Sequence, residues 1–499
     1  EEARRTLRYV EPLNDARTQL ADFFSILLGT YQMGGYVGIV KGTVQVGLNW
    51  WNTWQERSIN RRIFATMVTV GSVTTLVKLA AAAKEMAVAY QFGTSDELDA
   101  FLIAFLLPAF AVTLIGGSFN GALIPTYIQV REQEGLPAAQ RLLSSVMVVS
   151  IGFLVILSVI LALTASYFLP LIASGFSAEK MAVTLSLYYG LLSTLVLSGV
   201  ATTWGAVLNA ENRFTLAAVA PIATSIVTIP VVIVMAKYWG SYALVIGIVG
   251  GALVEAGFMG WGLTRAGVSL VPRWYGTSPA VKQVFQQYAP IVAAVLLMSG
   301  TSVVSQSMAA ALDPGSVSAF AYGSKVTNLL LGIGVLAVST AVLPHFSRMV
   351  TAADWPGLRH TLLTYSRWLL LGTLPVTIAL IYYSEPVVAF VFQRGAFTEA
   401  DSHLASRVQA MLLLQVPVYA VGMMFVRLIT ALKANYLMLW SNGINLVTFV
   451  VLAYALMPRF GVVGIALATS MMYLISVSFL VLISLRLIKK KNSVNVARA

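Results

Sequence analysis

Long apolar runs, separated by short segments that contain charged residues, glycine or proline, dominate the pattern along the chain. Each run reaches the ~20 residues that a transmembrane helix needs, and the runs do not alternate at period two as membrane β-strands do. The pattern therefore predicts an all-α polytopic membrane protein with about 12 transmembrane helices. The predicted spans are residues 63–91, 97–128, 141–170, 179–207, 214–236, 241–263, 283–311, 316–347, 361–391, 402–432, 436–457 and 461–485.

The distribution of basic residues between loops supports this number of spans. When successive loops are assigned alternately to the two sides of the membrane, one side receives 17 Lys and Arg residues and the other receives 4. One missed or extra helix would mix the two sets. By the positive-inside rule, the N-terminal side of the first span and the C-terminus are predicted to be cytoplasmic.

The chain also shows signs of an internal duplication. "ALIP" at 122–125 returns as "AVLP" at 341–344, and "DAF" at 99–101 returns as "SAF" at 318–320, both at an offset of 219 residues. "GFSAE" and "LNAENRF" have weaker echoes further along, in the same order. Since many transporters are built from repeats that enclose a site between them, we predict two six-helix lobes.

These observations divide the chain into five predicted segments. The first is charged and then rich in glycine and tryptophan, which is typical of a segment at the membrane interface. The segments are an amphipathic or interfacial N-terminal extension (1–60), an N-lobe (61–263), a cytoplasmic linker (264–280), a C-lobe (281–487) and a basic cytoplasmic tail (488–499).

Composition narrows the function. Hydrophobic residues make up 58% of the chain, charged residues 10%, and there is no cysteine. The three histidines have no metal-ligand spacing, and no nucleotide-binding or hydrolase motif is present, so we expect neither a metal nor a cofactor and no enzymatic activity. The net charge of +12 is explained by basic cytoplasmic loops rather than by a nucleic-acid partner.

Charged residues inside the predicted spans are the main functional signal. Lys78, Lys84 and Glu85 lie in the first span and Lys325 lies in the eighth. A lysine at mid-bilayer costs ~2.5–3.5 kcal/mol, so it needs either a carboxylate on a neighbouring helix, an escape to the interface, or a functional role. We predict that the three lysines converge in a water-filled cavity that selects an anion, since lysine binds phosphate as a point charge.

Other polar residues in the spans are candidates for the same space. Asp99 opens the second span and Glu255 lies in the sixth, and both are candidate gating or ion-binding residues beside Glu85. Asn120 and Gln306 could line the cavity, although small polar residues also serve helix packing in membranes.

Several segments resemble one known family. "FGTSDELDAFLIAFLLP", "GGSFNGALIPTYIQVREQEG", "GAVLNAENRFTLAAVAP", "GSVSAFAYGSKV" and "FVFQRGAFTEAD" resemble the MurJ/MviN family of lipid II flippases, within the multidrug/oligosaccharidyl-lipid/polysaccharide exporter superfamily. The resemblance covers residues 62–487 and keeps the order and spacing of the motifs.

The resemblance implies a V-shaped pair of lobes that alternates between inward-open and outward-open states in the bacterial inner membrane. It implies an undecaprenyl-diphosphate-linked glycan as substrate, entering between the first and eighth helices, with membrane lipids and glycan-synthesis proteins as further candidate partners. The cationic positions of the family fall on Lys78, Lys84 and Lys325, the acidic neighbour falls on Glu85, and the acidic residue of the second helix falls on Asp99.

Three departures from the family bear on the substrate. Lysine stands where the family usually has arginine, further basic residues are missing near Val112 and Thr113, and the sequence ends after its twelfth span. With the N-terminal extension, these features favour a flippase for a surface-polysaccharide repeat unit slightly over one for lipid II. A drug or organic-cation antiporter of the same superfamily is a further alternative, against which the lysines argue. A membrane scaffold for glycan synthesis that transports nothing is the last.

Overall fold

The structure is a computed structural model that describes residues 59–211, 213–434 and 436–496, and its regular structure in these ranges is entirely α-helical. The helices are α1 (Ile59–Phe92), α2 (Asp96–Glu134), α3 (Leu136–Ile172), α4 (Ala178–Ala210), α5 (Phe214–Val219), α6 (Ile222–Trp239), α7 (Tyr242–Arg265), α8 (Pro279–Ala310), α9 (Ser316–Thr351), α10 (Trp355–Tyr382), α11 (Ser384–Phe392), α12 (Glu399–Leu413), α13 (Gln415–Ala431), α14 (Tyr436–Phe460) and α15 (Val462–Val496).

The 15 helices form twelve rods in the described ranges, where a rod is the one helix, or the two consecutive helices, that match one predicted span. Three of the predicted spans are each divided into two helices. Proline explains two of the divisions: α10 ends at Tyr382, four residues before Pro386, and α12 ends at Leu413, four residues before Pro417. A proline ring clashes with the carbonyl group four residues earlier and kinks or breaks the helix there. Nine helical segments of the described residues are long and apolar enough to cross a membrane, and the all-α polytopic fold class is confirmed.

Each lobe repeats the same packing scheme. In the N-lobe, α4 packs on α2, α3 and α7, while α6 packs on α7 and on α1. In the C-lobe, the α12–α13 rod packs on α9, α10 and α15, while α14 packs on α15 and on α8. The correspondence confirms the two six-helix lobes predicted from the weak sequence repeat.

The linker between the lobes packs against the N-lobe. The Gln140 side chain on α3 donates a hydrogen bond to the carbonyl oxygen of Gly267 (2.7 Å), and the Ser144 hydroxyl bonds the backbone of Arg273. Helix α8 follows and packs lengthwise along α2. The first helix of the C-lobe therefore has a large interface with the N-lobe.

The apolar core is shared by both lobes at one end and divided at the other. One cluster of buried side chains joins residues of both lobes, among them Phe101, Leu187, Phe320 and Phe392. A second cluster lies within residues 122–288, and a third lies within residues 342–488. We call the first region the joined end and the region of the other two clusters the split end.

The two predicted terminal segments lie partly or wholly outside the described residues. Residues 1–58 and 497–499 lie outside the described residues, so the interfacial extension stays a prediction. The predicted basic tail is not a separate segment through Val496, because α15 continues to that residue. Ile488 is buried and the Lys491 ammonium group lies 5.5 Å from the centre of the Trp355 ring, so packing on the C-lobe extends the helix.

Candidate functional site

Two of the three predicted cationic residues meet at one carboxylate. Glu85 on α1 accepts Lys84 from its own helix (Nζ–Oε1 3.3 Å) and Lys325 from α9 of the other lobe (Nζ–Oε2 3.0 Å). The side chains are between 22% and 40% exposed, so water and ligands can reach them. This group, which we call the charge bridge, links the lobes and carries one net positive charge.

A cavity of about 130 Å³ opens beside the charge bridge. Its walls come from α1, α2, α6 and α7 of the N-lobe and from α9 of the C-lobe. The lining residues are Lys84, Glu85, Val88, Leu98, Phe101, Leu102, Phe105, Thr228, Leu244, Ile248, Ala321, Tyr322 and Lys325. The cavity is thus charged at one edge and mainly apolar elsewhere, with Thr228 and Tyr322 as the other lining residues that carry a polar group.

Lys78 does not join the charge bridge. It lies six residues before Lys84, or about 9 Å along the helix, is exposed, and is not part of the cavity lining. Lys78 and Glu85 are seven residues apart and therefore lie on the same face of the helix, but the residue of α1 that pairs with Glu85 is the adjacent Lys84.

The other candidates are dispersed. The Glu255 carboxylate accepts a hydrogen bond from Thr224 (2.9 Å) between α6 and α7, within the N-lobe. Gln306 is half-buried on α8 and lies outside the cavity lining. Asn120 is on α2, and its side chain lies outside the described residues. Neither Glu255 nor Gln306 contributes to the cavity lining.

Asp99 has a different place from the one predicted for a cavity residue. It is buried in the first turn of α2 and accepts hydrogen bonds from the backbone N–H groups of Gly315 and Ser318 (both 2.8 Å) and from the Ser318 hydroxyl (2.7 Å). A carboxylate at a helix N-terminus satisfies free N–H groups and interacts favourably with the helix dipole. Asp99 therefore fastens α2 of one lobe to the start of α9 of the other.

Further contacts accompany Asp99 at the joined end, and together we call them the seam. The Thr94 hydroxyl hydrogen-bonds the Asp401 carboxylate, and the Ala396 N–H donates to the carbonyl of Tyr90 (2.8 Å). The backbone approaches closely here: a Cβ atom on Gly315 would lie 2.7 Å from the Thr94 carbonyl oxygen. The seam closes this end of the space between the lobes.

The seam follows the internal repeat. Asp99 and Ser318 begin the duplicated "DAF" and "SAF" segments, and these equivalent residues contact each other. In a two-fold arrangement, equivalent residues can touch only beside the axis. The approximate two-fold axis of the lobes therefore passes through this pair, and the repeat at an offset of 219 residues was the signal that could have revealed it.

The two faces of the interface between the lobes differ despite the repeat. Helix α8 packs lengthwise along α2. The equivalent pair is α1 and α9, which in the described residues has no comparable packing and is connected through the charge bridge. The charged cavity therefore opens at the less densely packed face.

Comparison with known proteins gives a consistent result. The family model described as "Lipid II flippase MurJ" matches residues 88–497. A probable lipid II flippase MurJ of Rhizobium meliloti is 26% identical over 410 residues, covering 80% of this chain and 76% of the relative. One from Synechocystis is 27% identical over 442 residues, covering 82% and 79%.

Solved structures agree on the fold. The inward closed conformation of lipid II flippase MurJ matches with a TM-score of 0.72 at 22% identity, covering 83% of this chain and 87% of that one. An inward-facing multidrug resistance transporter of the MATE family matches with a TM-score of 0.73 at 13% identity, covering 85% and 99%. These two likenesses establish the architecture alone.

Proposed function

Because the chain belongs to the MurJ family of flippases, we propose that it moves lipid II, the lipid-linked precursor of peptidoglycan, from the cytoplasmic to the periplasmic leaflet of the bacterial inner membrane. The curated relatives are named lipid II flippase or probable lipid II flippase, and these names favour lipid II over the surface-polysaccharide repeat unit to which the sequence departures gave a slight preference. Lysine in place of arginine changes the geometry of phosphate binding but keeps the positive charge.

The observation that carries the proposal is the charge bridge. Glu85 forms ion pairs with both lysines. A diphosphate brings more negative charge than one carboxylate and offers several acceptor oxygens, so it can replace Glu85 as the partner of Lys84 and Lys325. Because the two lysines belong to different lobes, a bound diphosphate would also connect the lobes.

The physics of the membrane explains why such a site is needed. A sugar diphosphate cannot enter ~30 Å of hydrocarbon without partners for its charges and hydroxyl groups. We propose that the headgroup enters between α1 and α9, where the interface is least packed, while the lipid tail remains in the bilayer. The basic loops support a cytoplasmic location for the split end, and opening of the seam would then release the headgroup to the periplasm.

Binding to purified protein in nanodiscs tests the proposal. We expect lipid II to bind more tightly than a surface-polysaccharide repeat-unit lipid of the same polyprenyl diphosphate. Lys84→Gln and Lys325→Gln should each weaken binding by about tenfold or more, which corresponds to one charge-assisted hydrogen bond. Lys78→Gln is the matched control on the same helix and should bind as wild type does.

Two results would contradict the proposal. Tighter binding of the repeat-unit lipid would indicate that the substrate is a surface-polysaccharide repeat unit. Unchanged binding after both cavity substitutions would mean that the lysines are structural, as a scaffold that transports nothing would allow.

A further inference from the structure

The charged lining residues of the cavity are confined to the charge bridge. Beyond the charge bridge most of the wall is apolar: it is formed by Phe101, Phe105, Ile248 and further aliphatic side chains, and Thr228 and Tyr322 add the only other polar groups among its lining residues. The Phe101 and Phe105 rings are stacked, with their centroids 5.9 Å apart. A ligand in which an anionic group is attached directly to hydrocarbon would therefore match both the charged edge and the mainly apolar wall.

A polyprenyl diphosphate has one such junction. On its sugar side the diphosphate continues into hydroxyl groups, which would lose hydrogen bonds against apolar walls. On its lipid side the diphosphate is attached directly to the first isoprenyl unit. We propose that the cavity binds this first isoprenyl unit while Lys84 and Lys325 hold the diphosphate; the inference rests on the proposed function.

The size of the cavity limits the occupant to one unit. An apolar cavity of ~150 Å³ accommodates a ligand of the size of benzene, and the cavity here measures about 130 Å³. A five-carbon isoprenyl unit matches that volume, and a longer segment does not. The rest of the polyprenyl chain continues outside the cavity, and the glycan points away from its apolar wall.

This arrangement gives the site a way to recognise the lipid as well as the charge. A free sugar diphosphate would bind the lysines but leave the cavity empty. A polyprenyl diphosphate would gain the burial of its first unit, which is favourable in proportion to the apolar area removed from water. The cavity thus helps to exclude soluble sugar diphosphates from a site whose lysines would attract them.

A pair of small ligands tests the inference. Dimethylallyl diphosphate and methyl diphosphate are monoesters of the same charge, and the first carries a five-carbon isoprenyl group where the second carries a methyl group. Isothermal titration of wild-type protein in nanodiscs should show about tenfold or more tighter binding of dimethylallyl diphosphate. Its binding should also have the more negative heat-capacity change, the thermodynamic sign of apolar burial.

Variants on one helix locate the effect. Ile248→Phe fills the cavity from α7 and should remove the advantage of dimethylallyl diphosphate while leaving methyl diphosphate unchanged. Leu253→Phe, on an exposed face of the same helix, should preserve the advantage. Leu244→Phe provides a second filling variant if Ile248→Phe does not fold.

The outcomes separate this inference from the proposed function. Equal binding of the two ligands to wild type would overturn the isoprenyl site and leave the diphosphate site standing. An advantage that persists in both filling variants would also overturn it, because the hydrocarbon would then bind elsewhere. Failure of both ligands to bind would overturn the diphosphate site and this inference together.

Discussion

Helices α2 and α8 pack along their length on one face of the interface between the lobes, whereas the equivalent helices α1 and α9 are connected through Glu85 and Lys325. The same repeat has therefore produced one face with extensive apolar packing and one face whose contact is polar and accessible. A large ligand does not readily separate two membrane helices that pack along their length. An anionic ligand can, however, replace the carboxylate of an ion pair. The difference supports the proposed entry of the substrate at the α1–α9 face.

The seam lies between the two faces, and in the proposed mechanism it is the part of the interface that opens for release. Its contacts lie close to the approximate two-fold axis, at Asp99 and Ser318. A rocking motion of the lobes separates these residues however the two outer faces behave. A covalent bond across the seam is therefore expected to have the largest effect on transport.

The largest effect is expected from a disulfide between Thr94→Cys and Asp401→Cys, whose side chains contact each other across the seam. The chain has no native cysteine, so the pair can be oxidised without competing reactions. We expect oxidation to abolish transport of a fluorescent lipid-linked glycan in proteoliposomes and reduction to restore it, while binding persists. Each single cysteine variant is the control, and full transport by the oxidised pair would show that the seam does not open.

A smaller effect is expected from Glu85→Gln, which changes the charge bridge without touching the packed face. Loss of the carboxylate raises the net charge of the cluster and frees both lysines, so diphosphate should bind about tenfold more tightly, a modest gain because the group is partly exposed. Transport should fall, since release becomes slower. Titration with inorganic diphosphate measures the change, and weaker binding would mean that Glu85 positions the lysines instead of competing with the ligand.

The smallest effect concerns the backbone of the seam. Gly315 has φ of +85° and its Cβ position faces the Thr94 carbonyl, whereas Gly267 has φ of +74° and open space. Gly267→Ala should cost about 1–2 kcal/mol for the left-handed conformation alone, and Gly315→Ala should cost clearly more. The thermal unfolding midpoints of the two variants measure this difference. Equal losses of stability would show that the close approach at the seam does not contribute to stability.

The sequence predicted the rods and lobes well because hydrophobic run length and loop charge report on membrane spans directly. The predicted spans did not include the breaks in the ninth and tenth rods, although proline disfavours a continuous helix four residues before Pro386 and Pro417. Local spacing also could not choose between Lys78 and Lys84 as the partner of Glu85, because the choice depends on where α9 brings Lys325.

Asp99 illustrates the second limit. Its position in a span was visible, but its partners lie 216 and 219 residues away in the other lobe. Composition cannot distinguish a carboxylate that lines a cavity from one that caps a helix of another lobe. Only the repeat carried that information, through the equivalence of the segments at Asp99 and Ser318.

Entry of the lipid-linked substrate between α1 and α9 is the central claim, and site-specific photocrosslinking tests it most directly. A photoreactive amino acid can be placed at the exposed positions Leu79 on α1 and Leu329 on α9, and at Ile128 on α2 and Leu296 on α8 as controls. With radiolabelled lipid II in nanodiscs, we predict crosslinks at Leu79 and Leu329 that disappear in the Lys84→Gln, Lys325→Gln double variant. Equal or stronger crosslinking at Ile128 and Leu296 would contradict the account.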